Sequence, residues 1–355
     1  MAYYFRSPKI IDFTTDQRMA LDEPKPIALS GGAGTGKTVV SLWRHRQNLT
    51  VLEKSSFLVT YAKPLAYYLE QNLDISSNKY VYNLKNFPQN NTFKVDEIII
   101  DEAQDLICSK LQEISNHGNT VSYGADFNQQ IHQRTVKDNE LQALFPNNIS
   151  YPLYENFRNT YRILNFVKSF LPNFFISQSS LDELLEDREG IQPMMFITND
   201  FKTEITKIIG IINEFDADDH NIAILLPFGN SGEESVEHYH NALNERHIKC
   251  SKYYNEMQTD DIYIDKVHVT TFKSSKGLEF DTVIIPFLHK FKNFISRSHS
   301  TKTSEHDYYV ALTRARDNLY LLSHQELNFI CNTAVDIERI DTIPALKINE
   351  SEIPF

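Results

Sequence analysis

The chain has 355 residues and a formal net charge of −12, with 41% hydrophobic and 23% charged residues. These values exclude wholesale disorder and allow one large or two ordinary globular domains. A chain this acidic does not bind nucleic acid through its overall field, so a nucleic-acid role requires a locally basic groove. The longest apolar runs, such as 283–288, are too short to span a bilayer. The three scattered cysteines are typical of reduced thiols, so we expect a cytoplasmic protein without a membrane segment.

The first predicted element is a short helix that carries Gln17, with a cap at residue 14, 15 or 16. A glycine-rich loop, GGAGTGKT at 31–38, follows a short buried strand and precedes an apolar-periodic helix. This sequence and its flanks fit the phosphate-binding P-loop, although a glycine-rich turn that binds nothing is the alternative. Lys37 is then placed for the β- and γ-phosphates of ATP, and Thr38 for Mg²⁺. The loop glycines that would surround the phosphates are Gly31, Gly34 and Gly36.

Gln17 lies close upstream of this loop and can read an adenine edge with its paired donor and acceptor, although alone it would be read as a surface helix residue. The next strand, at 56–61, precedes a helix that opens at 63. Thr60, Tyr61 and Lys63 lie at its carboxyl end, where they could hold a phosphate and stack a base.

The strand at 96–100 ends in two carboxylates. We predict that Asp101 holds Mg²⁺ and that Glu102 takes the proton from the attacking water, the alternative being an acidic start of a helix. Another strand at 120–124 leads to Gln129, which could sense the γ-phosphate or belong to an ordinary polar loop.

The second half of the chain alternates predicted strands and helices. Strands are expected at 194–197, 222–226, 248–250, 267–271, 283–285 and 319–322, and helices at 201–215, 233–246 and 308–316. This alternation indicates parallel βαβ units. We therefore predict an α/β fold with two domains, at 1–148 and 149–325, followed by an acidic tail at 326–355.

Three further segments occur in order: DEAQD at 101–105, SKGLEFD at 275–281 and YVALTRAR at 309–316. With the phosphate loop they resemble the core of superfamily 1 helicases, especially the UvrD, Rep and PcrA group, from Gln17 to Leu322. The resemblance implies two RecA-like domains with parallel sheets, with ATP in the cleft between them. It also implies movement along single-stranded DNA with 3′ to 5′ polarity.

The resemblance assigns roles that spacing alone does not. Phe157 would stack on adenine, and Arg158 and Arg314 would reach the γ-phosphate from the second domain. Glu279 would lie near the ribose, with Gly277 beside it. The residues expected to contact the nucleic acid are Thr60, Tyr61, Lys63, His132, Thr271 and Lys273.

Departures from the family pattern limit what the resemblance implies. The chain has no room for accessory subdomains between 68 and 96 or between 253 and 267, and Arg134 or nothing replaces a base-stacking Trp. Autonomous unwinding of a duplex is therefore less secure than ATP hydrolysis, and we expect a protein partner such as a nuclease. Three alternatives stay open: an ATP switch that does not translocate, a phosphotransferase, which the two arginines and DEAQD argue against, and RNA as the track.

Overall fold

The computed structural model describes residues 3–4, 9–71, 73, 80–88, 94–132, 135–215, 217, 219–257, 262–296, 303–330 and 333–340. The strands are β1 Ile27–Ser30, β2 Ser56–Thr60, β3 Val81–Asn83, β4 Val95–Asp101, β5 Gly118–Ala125, β6 Ile149–Pro152, β7 Met194–Thr198, β8 Ile222–Leu226, β9 Ser251–Tyr253, β10 Val267–Thr271, β11 Phe280–Ile285, β12 Ala315–Ser323 and β13 Asp336–Ile340. The helices are α1 Thr15–Asp22, α2 Lys37–Thr50, α3 Lys63–Gln71, α4 Cys108–Ser115, α5 Asp138–Leu144, α6 Tyr161–Phe170, α7 Gln178–Asp187, α8 Phe201–Glu214, α9 Val236–Asn244, α10 Phe291–Ser296 and α11 Glu305–Leu312.

The strands form two parallel sheets. The first has the order β3-β2-β4-β5-β1-β6, and the second has the order β13-β7-β12-β11-β8-β10-β9. Because parallel strands end at a common edge, the loops after β1, β4 and β5 meet at one edge of the first sheet. The prediction of an α/β fold with two parallel-sheet domains is confirmed.

The local sequence explains these elements. Strand β8 reads IAILL and is buried along its whole length, as expected of a parallel strand covered on both faces. Helix α8 buries isoleucines at 205, 208, 211 and 212, one apolar stripe at helical spacing. Its amino end is capped by Asp200, which accepts a hydrogen bond from the backbone N–H of Thr203. Helix α1 is capped by Thr14, one of the three predicted caps.

Strand pairing favours domain bounds other than those predicted. Strand β6 starts after the predicted boundary at 148, yet it pairs with β1 in the first sheet. Strand β13 falls within the predicted tail, yet it pairs with β7 in the second sheet. We therefore propose a boundary between β6 and α6, with a second domain that extends at least to Ile340. The remaining residues of the predicted tail, from 341, lie outside the described part of the chain.

Two predicted elements also need correction. The helix expected at 308–316 ends at Leu312, and β12 begins at Ala315, so Arg314 lies in the tight connection between them. The residues at 248–250, which read as a strand, precede a short strand that starts at Ser251. In both places the sequence pattern locates the apolar residues, but the structural element begins or ends at a different residue because a connecting turn intervenes.

Candidate active site

The loop between β1 and α2 has the backbone geometry of a phosphate cradle. Gly31, Gly34 and Gly36 have φ of 145°, 75° and 87°, values that favour glycine. Lys37 is 7% exposed, and its Nζ donates to the backbone carbonyl oxygens of Gly31 at 2.9 Å and Gly32 at 2.8 Å. The ammonium group is thus held at the mouth of the loop, where a phosphate would compete for its protons.

A hydrogen bond between two side chains joins this loop to the end of β4. The hydroxyl of Thr38 donates to Oδ2 of Asp101 at 2.8 Å. Burial and the neighbouring charge of Glu102 raise the pKa of Asp101 well above its ordinary range. Burial also acts to raise the pKa of Glu102, but the ammonium groups of Lys276 and Lys37 outweigh it and lower that pKa. Glu102 therefore stays ionised, as a group that accepts a proton must.

A hydrogen bond between Gln129 and Arg314 joins the two domains at this site. Nη2 of Arg314 donates to Oε1 of Gln129 at 2.6 Å, while its Nε donates to the carbonyl oxygen of Val310 at 3.0 Å. Arg314 is only 1% exposed. Its guanidinium is therefore fixed in direction by its own helix and points across the cleft at the first domain.

Residues 156–159 connect the phosphate loop to the second sheet. The N–H of Phe157 donates to the carbonyl oxygen of Gly34 at 2.9 Å. Nε of Arg158 donates to Oε2 of Glu279 at 3.1 Å, and Nδ2 of Asn159 donates to the carbonyl oxygen of Ala315 at 2.6 Å. This short segment thus places an aromatic ring and an arginine directly beside the loop.

Most of the predicted site residues line one cavity of about 610 Å³ between the domains, a volume within the range of small-molecule sites. Those that line it are Gly34, Gly36, Lys37, Thr38, Glu102, Gln129, Phe157, Arg158, Gly277, Glu279 and Arg314. Three other predicted site residues do not line this cavity: Gly31, Asp101 and Gln17. Gln17 is 5% exposed and already uses both polar atoms, since Oε1 accepts from the N–H of Thr14 at 3.1 Å and Nε2 donates to the carbonyl oxygen of Thr35 at 3.1 Å. Its contact with adenine stays a prediction.

Lys276 is a site residue to which sequence reasoning gave no role. Its Nζ crosses from the second domain and donates to Oδ2 of Asp105 at 2.6 Å and to the carbonyl oxygen of Gln129 at 2.5 Å. It also lies 3.3 Å from Oε2 of Glu102. One buried ammonium therefore contacts two carboxylates of DEAQD and supports the backbone of Gln129. In the sequence Lys276 stands inside the SKGLEFD segment, beside Gly277, but nothing there indicates its partners in the first domain.

Arg316 and Tyr68 were also missed. Both line the cavity, and Nη1 of Arg316 lies 3.3 Å from Oε1 of Glu279. Glu279 is thus held between Arg158 and Arg316, and although burial acts to raise its pKa, these two guanidinium groups lower it. The ordinary appearance of an arginine in a strand conceals this role, because the pairing depends on the tertiary fold.

The residues predicted to contact nucleic acid form a second group beside this cavity. The rings of Tyr61 and His132 lie 4.5 Å apart between centroids. Lys273 is partly exposed, and its Nζ lies 3.9 Å from Oδ2 of Asp307. Tyr61 and Lys273 line a narrow gap whose other wall includes Glu102 and Lys276. Lys63 stands close by, at the first residue of α3.

Two members of the predicted set are buried. Thr60 is 0% exposed, although it lines the same gap as Tyr61 and Lys273, and Thr271 is 8% exposed with its hydroxyl donating to Ser274 Oγ at 2.8 Å. Their contact with nucleic acid stays a prediction. Both are the last residues of buried strands, where the sequence pattern does not show whether a side chain is exposed. Arg134, considered as a replacement for a stacking Trp, lies outside the described residues.

Two features are absent from the part of the chain that the structure describes. No helix there is both long and apolar enough to cross a membrane. In the same part of the chain, no cluster of three or more His, Cys, Asp and Glu side chains is arranged to hold a metal by itself. The hydroxyl of Thr38 and the carboxylate of Asp101 nevertheless supply the hard oxygen ligands that Mg²⁺ prefers, and phosphate oxygens would complete them.

Comparisons with known proteins agree with this geometry. Residues 25–189 match the family of Schlafen group 3 DNA/RNA helicase domains, and residues 252–326 match the family of UvrD-like helicase C-terminal domains. The protein R568 of Acanthamoeba polyphaga mimivirus, provisionally described as an ATP-dependent DNA helicase, is 26% identical over 336 residues. That alignment covers 85% of this chain and 47% of R568, so the chain spans about half the length of this curated relative.

The chain also matches solved structures whose descriptions name helicases, each with a TM-score below 0.5. The C-terminal domain of a possible DNA helicase from Lactobacillus plantarum WCFS1 is 22% identical, with a TM-score of 0.37 over 51% of this chain and 97% of that one. Arterivirus nonstructural protein 10, a helicase, is 13% identical, with a TM-score of 0.44 over 90% of this chain and 63% of that one. Its complex with DNA is 14% identical, with a TM-score of 0.43 over 86% and 62%.

The two family matches fall one on each sheet-bearing half of the chain, in the order that the motifs require. The first includes the phosphate loop and the carboxylates of β4, and the second includes Lys276, Glu279 and Arg314. The chain is therefore similar to helicase domains in both of its sheet-bearing halves.

Proposed function

We propose that this chain is an ATP-driven translocase or helicase that acts on single-stranded nucleic acid, with DNA as the track and 3′ to 5′ as the direction. One observation carries the proposal. A single cavity joins the phosphate loop, Glu102 and Gln129 of the first domain to Arg158 and Arg314 of the second. A cavity built from both domains makes nucleotide binding and domain closure one event.

Each residue has a role in this proposal. Lys37 and the loop N–H groups bind the β- and γ-phosphates of ATP. Glu102, kept ionised by its two ammonium neighbours, accepts the proton of the attacking water, and Gln129 orients that water. Arg158 and Arg314 stabilise the charge that develops on the transferred phosphoryl group. Phe157, 43% exposed, offers its ring to the base.

Mg²⁺ fits the oxygen donors of Thr38 and Asp101. Its charge would neutralise the phosphate oxygens and compensate the carboxylate that burial now disfavours. Glu279 and Gly277 line the same cavity and are proposed to face the ribose.

Hydrolysis would be coupled to movement through the adjoining group of Tyr61, Lys63, His132 and Lys273. Their positive and aromatic groups suit a strand of stacked bases with a phosphate backbone. Because the chain has a formal charge of −12, Lys63 and Lys273 would supply the local positive charge that attracts the phosphate backbone. Binding should therefore weaken steeply as the salt concentration rises.

A second candidate, an ATP switch that does not translocate, is favoured by the burial of Thr60 and Thr271. In that case a protein partner, such as a nuclease in a defence or repair complex, would use the closure of the cleft. The partner would then be needed for ATPase activity.

The experiment is steady-state ATPase activity with and without single-stranded DNA or RNA, for the wild type and for Glu102→Gln. Translocation predicts stimulation by one polymer, and movement on a labelled strand then gives its direction. Loss of activity by at least about 100-fold is expected for Glu102→Gln, which keeps the shape but cannot accept the proton. A rate that neither polymer raises, including no measurable rate in the chain alone, would favour the switch. Failure of the wild type to bind a non-hydrolysable ATP analogue would refute both candidates.

A further inference from the structure

The chain's first described residues lie on the second domain, although the next elements belong to the first. The N–H of Tyr3 donates to the carbonyl oxygen of Ile264 at 3.0 Å. The N–H of Tyr4 donates to Oδ1 of Asn221 at 2.8 Å, and Nδ2 of Asn221 donates back to the carbonyl oxygen of Tyr4 at 2.8 Å. Asn221 is itself 3% exposed. These bonds attach the segment to the second domain as firmly as a short strand pairing would.

The side chain of Tyr3 joins the two domains. It is 4% exposed and makes edge-to-face contacts with Phe280 of β11 at 5.7 Å and with Tyr68 of α3 at 6.1 Å between ring centroids. Its hydroxyl donates to the backbone carbonyl oxygen of Glu279. One ring therefore contacts a helix of the first domain and also supports the backbone of the residue proposed to face the ribose.

The same segment forms a wall of the nucleotide cavity. Tyr4 is 47% exposed, and it lines the cavity together with Tyr68. Both face the space that Phe157 and Glu279 border from other sides. The wall is therefore built partly from Tyr4, which precedes both family matches.

The chain then returns to the first domain. Phe13 is buried, and its ring lies 6.0 Å from that of Trp43 in α2, the helix that begins in the phosphate loop. Tyr3 and Tyr4 thus lie on the second domain, and Phe13 lies on the first.

We propose that Tyr3 and Tyr4 form a strap that holds the nucleotide cleft closed, with Tyr3 as a positioning residue for Glu279. The inference rests on the proposed function, because it needs the cavity to bind a nucleotide. Opening the cleft separates Tyr3 from Tyr68, so the strap favours the closed state and increases nucleotide affinity without taking part in the chemistry.

The test measures the Kd of a non-hydrolysable ATP analogue by calorimetry, together with kcat and KM for ATP, in the full chain. Tyr3→Ala removes both ring contacts and should raise Kd and KM about fivefold to tenfold. The value of kcat at saturating ATP should stay within about twofold, since Tyr3 does not touch the reacting atoms. Tyr3→Phe keeps the rings and should restore most of the affinity. Asn221→Ala, which removes the other anchor, should act in the same direction as Tyr3→Ala.

The matched control is Tyr239→Phe, because Tyr239 is another buried tyrosine whose hydroxyl bonds a partner, Glu204, far from the cleft. It should lower thermal stability but leave Kd unchanged. An unaltered Kd in Tyr3→Ala, or an equal rise in the control, would overturn the strap while leaving the proposed function intact. A wild type that does not bind the analogue would refute the proposed nucleotide site, and the strap with it.

Discussion

Replacing Lys276 by Met removes one charge from the centre of the interdomain contact and should change both stability and pH dependence. The ammonium lies 2.6 Å from Oδ2 of Asp105 and 3.3 Å from Oε2 of Glu102, and the side chain of Lys276 is 2% exposed. Methionine retains the apolar stem but leaves two buried carboxylates without this partner. Breaking a buried ion pair in this way costs about 3–5 kcal/mol.

The effect on Glu102 follows from the same distance. At an effective dielectric constant of about 20, a charge 3.3 Å away stabilises the carboxylate by about 5 kcal/mol, and each 1.36 kcal/mol corresponds to one pKa unit. Burial opposes this by raising the pKa of Glu102. In Lys276→Met, the charges of Lys37 and Arg314 and the hydrogen bond from Gln104 still oppose burial, but the largest opposing charge is gone, so the pKa of Glu102 should rise by at least about one unit. The base is then protonated at a higher pH.

The assay is kcat for ATP hydrolysis between pH 5 and 9, with urea unfolding to measure stability. The acid limb of the profile should move to higher pH in Lys276→Met, while the loss of stability appears as a lower urea midpoint. The double variant Lys276→Met, Asp105→Asn relieves the stranded charge of Asp105 and should recover stability, but it should keep the displaced acid limb. An acid limb that does not move in Lys276→Met would refute the argument that Lys276 keeps Glu102 ionised.

Three further outcomes are expected. Gly31→Ala places a Cβ 2.4 Å from a backbone carbonyl oxygen at φ 145° and should raise the KM for ATP at least about tenfold, whereas Gly32→Ala, with nothing within 4 Å, should not. Asp307 is 1% exposed, and burial raises its pKa to about 6. Its contribution to the stability of the fold is therefore complete below its ordinary pKa and is lost as the pH rises through about 6. Asp307→Asn should increase the urea midpoint at pH 8, and this gain should vanish at pH 4. Arg44→Met strands Glu97, whose Oε1 lies 2.8 Å from Nε, and should cost about 3–5 kcal/mol of stability with little change in KM.

The sequence was most informative where chemistry depends on adjacent residues. Lys37 and Thr38 follow from the strand, loop and helix that surround them, and Asp101 and Glu102 follow from the apolar strand that they end. In these cases the local chain sets both the backbone and the direction of the side chain. The structure therefore places them at one sheet edge, as predicted.

The sequence was least informative about exposure and about contacts between distant residues. Thr60 ends a strand like an exposed loop residue, yet neighbouring elements bury it completely. The partners of Lys276 lie 147 and 171 residues away, so their pairing depends on how the two domains meet. Tyr3 reads as an ordinary residue near the start of the chain until its two ring contacts are seen.

The turn after β10 explains how the two groups of residues could communicate. Lys273 faces the predicted nucleic-acid group, Lys276 contacts Glu102, and Gly277 lines the nucleotide cavity. Gly277 has φ of 84°, and a Cβ there would lie 2.5 Å from Leu65 of α3, so the turn is packed tightly against the first domain. A displacement of Lys273 by a bound strand would therefore act close to Lys276 and Glu102, because only two residues separate the lysines. In the proposed function, this short connection would let nucleic acid influence hydrolysis through packing rather than through a long relay.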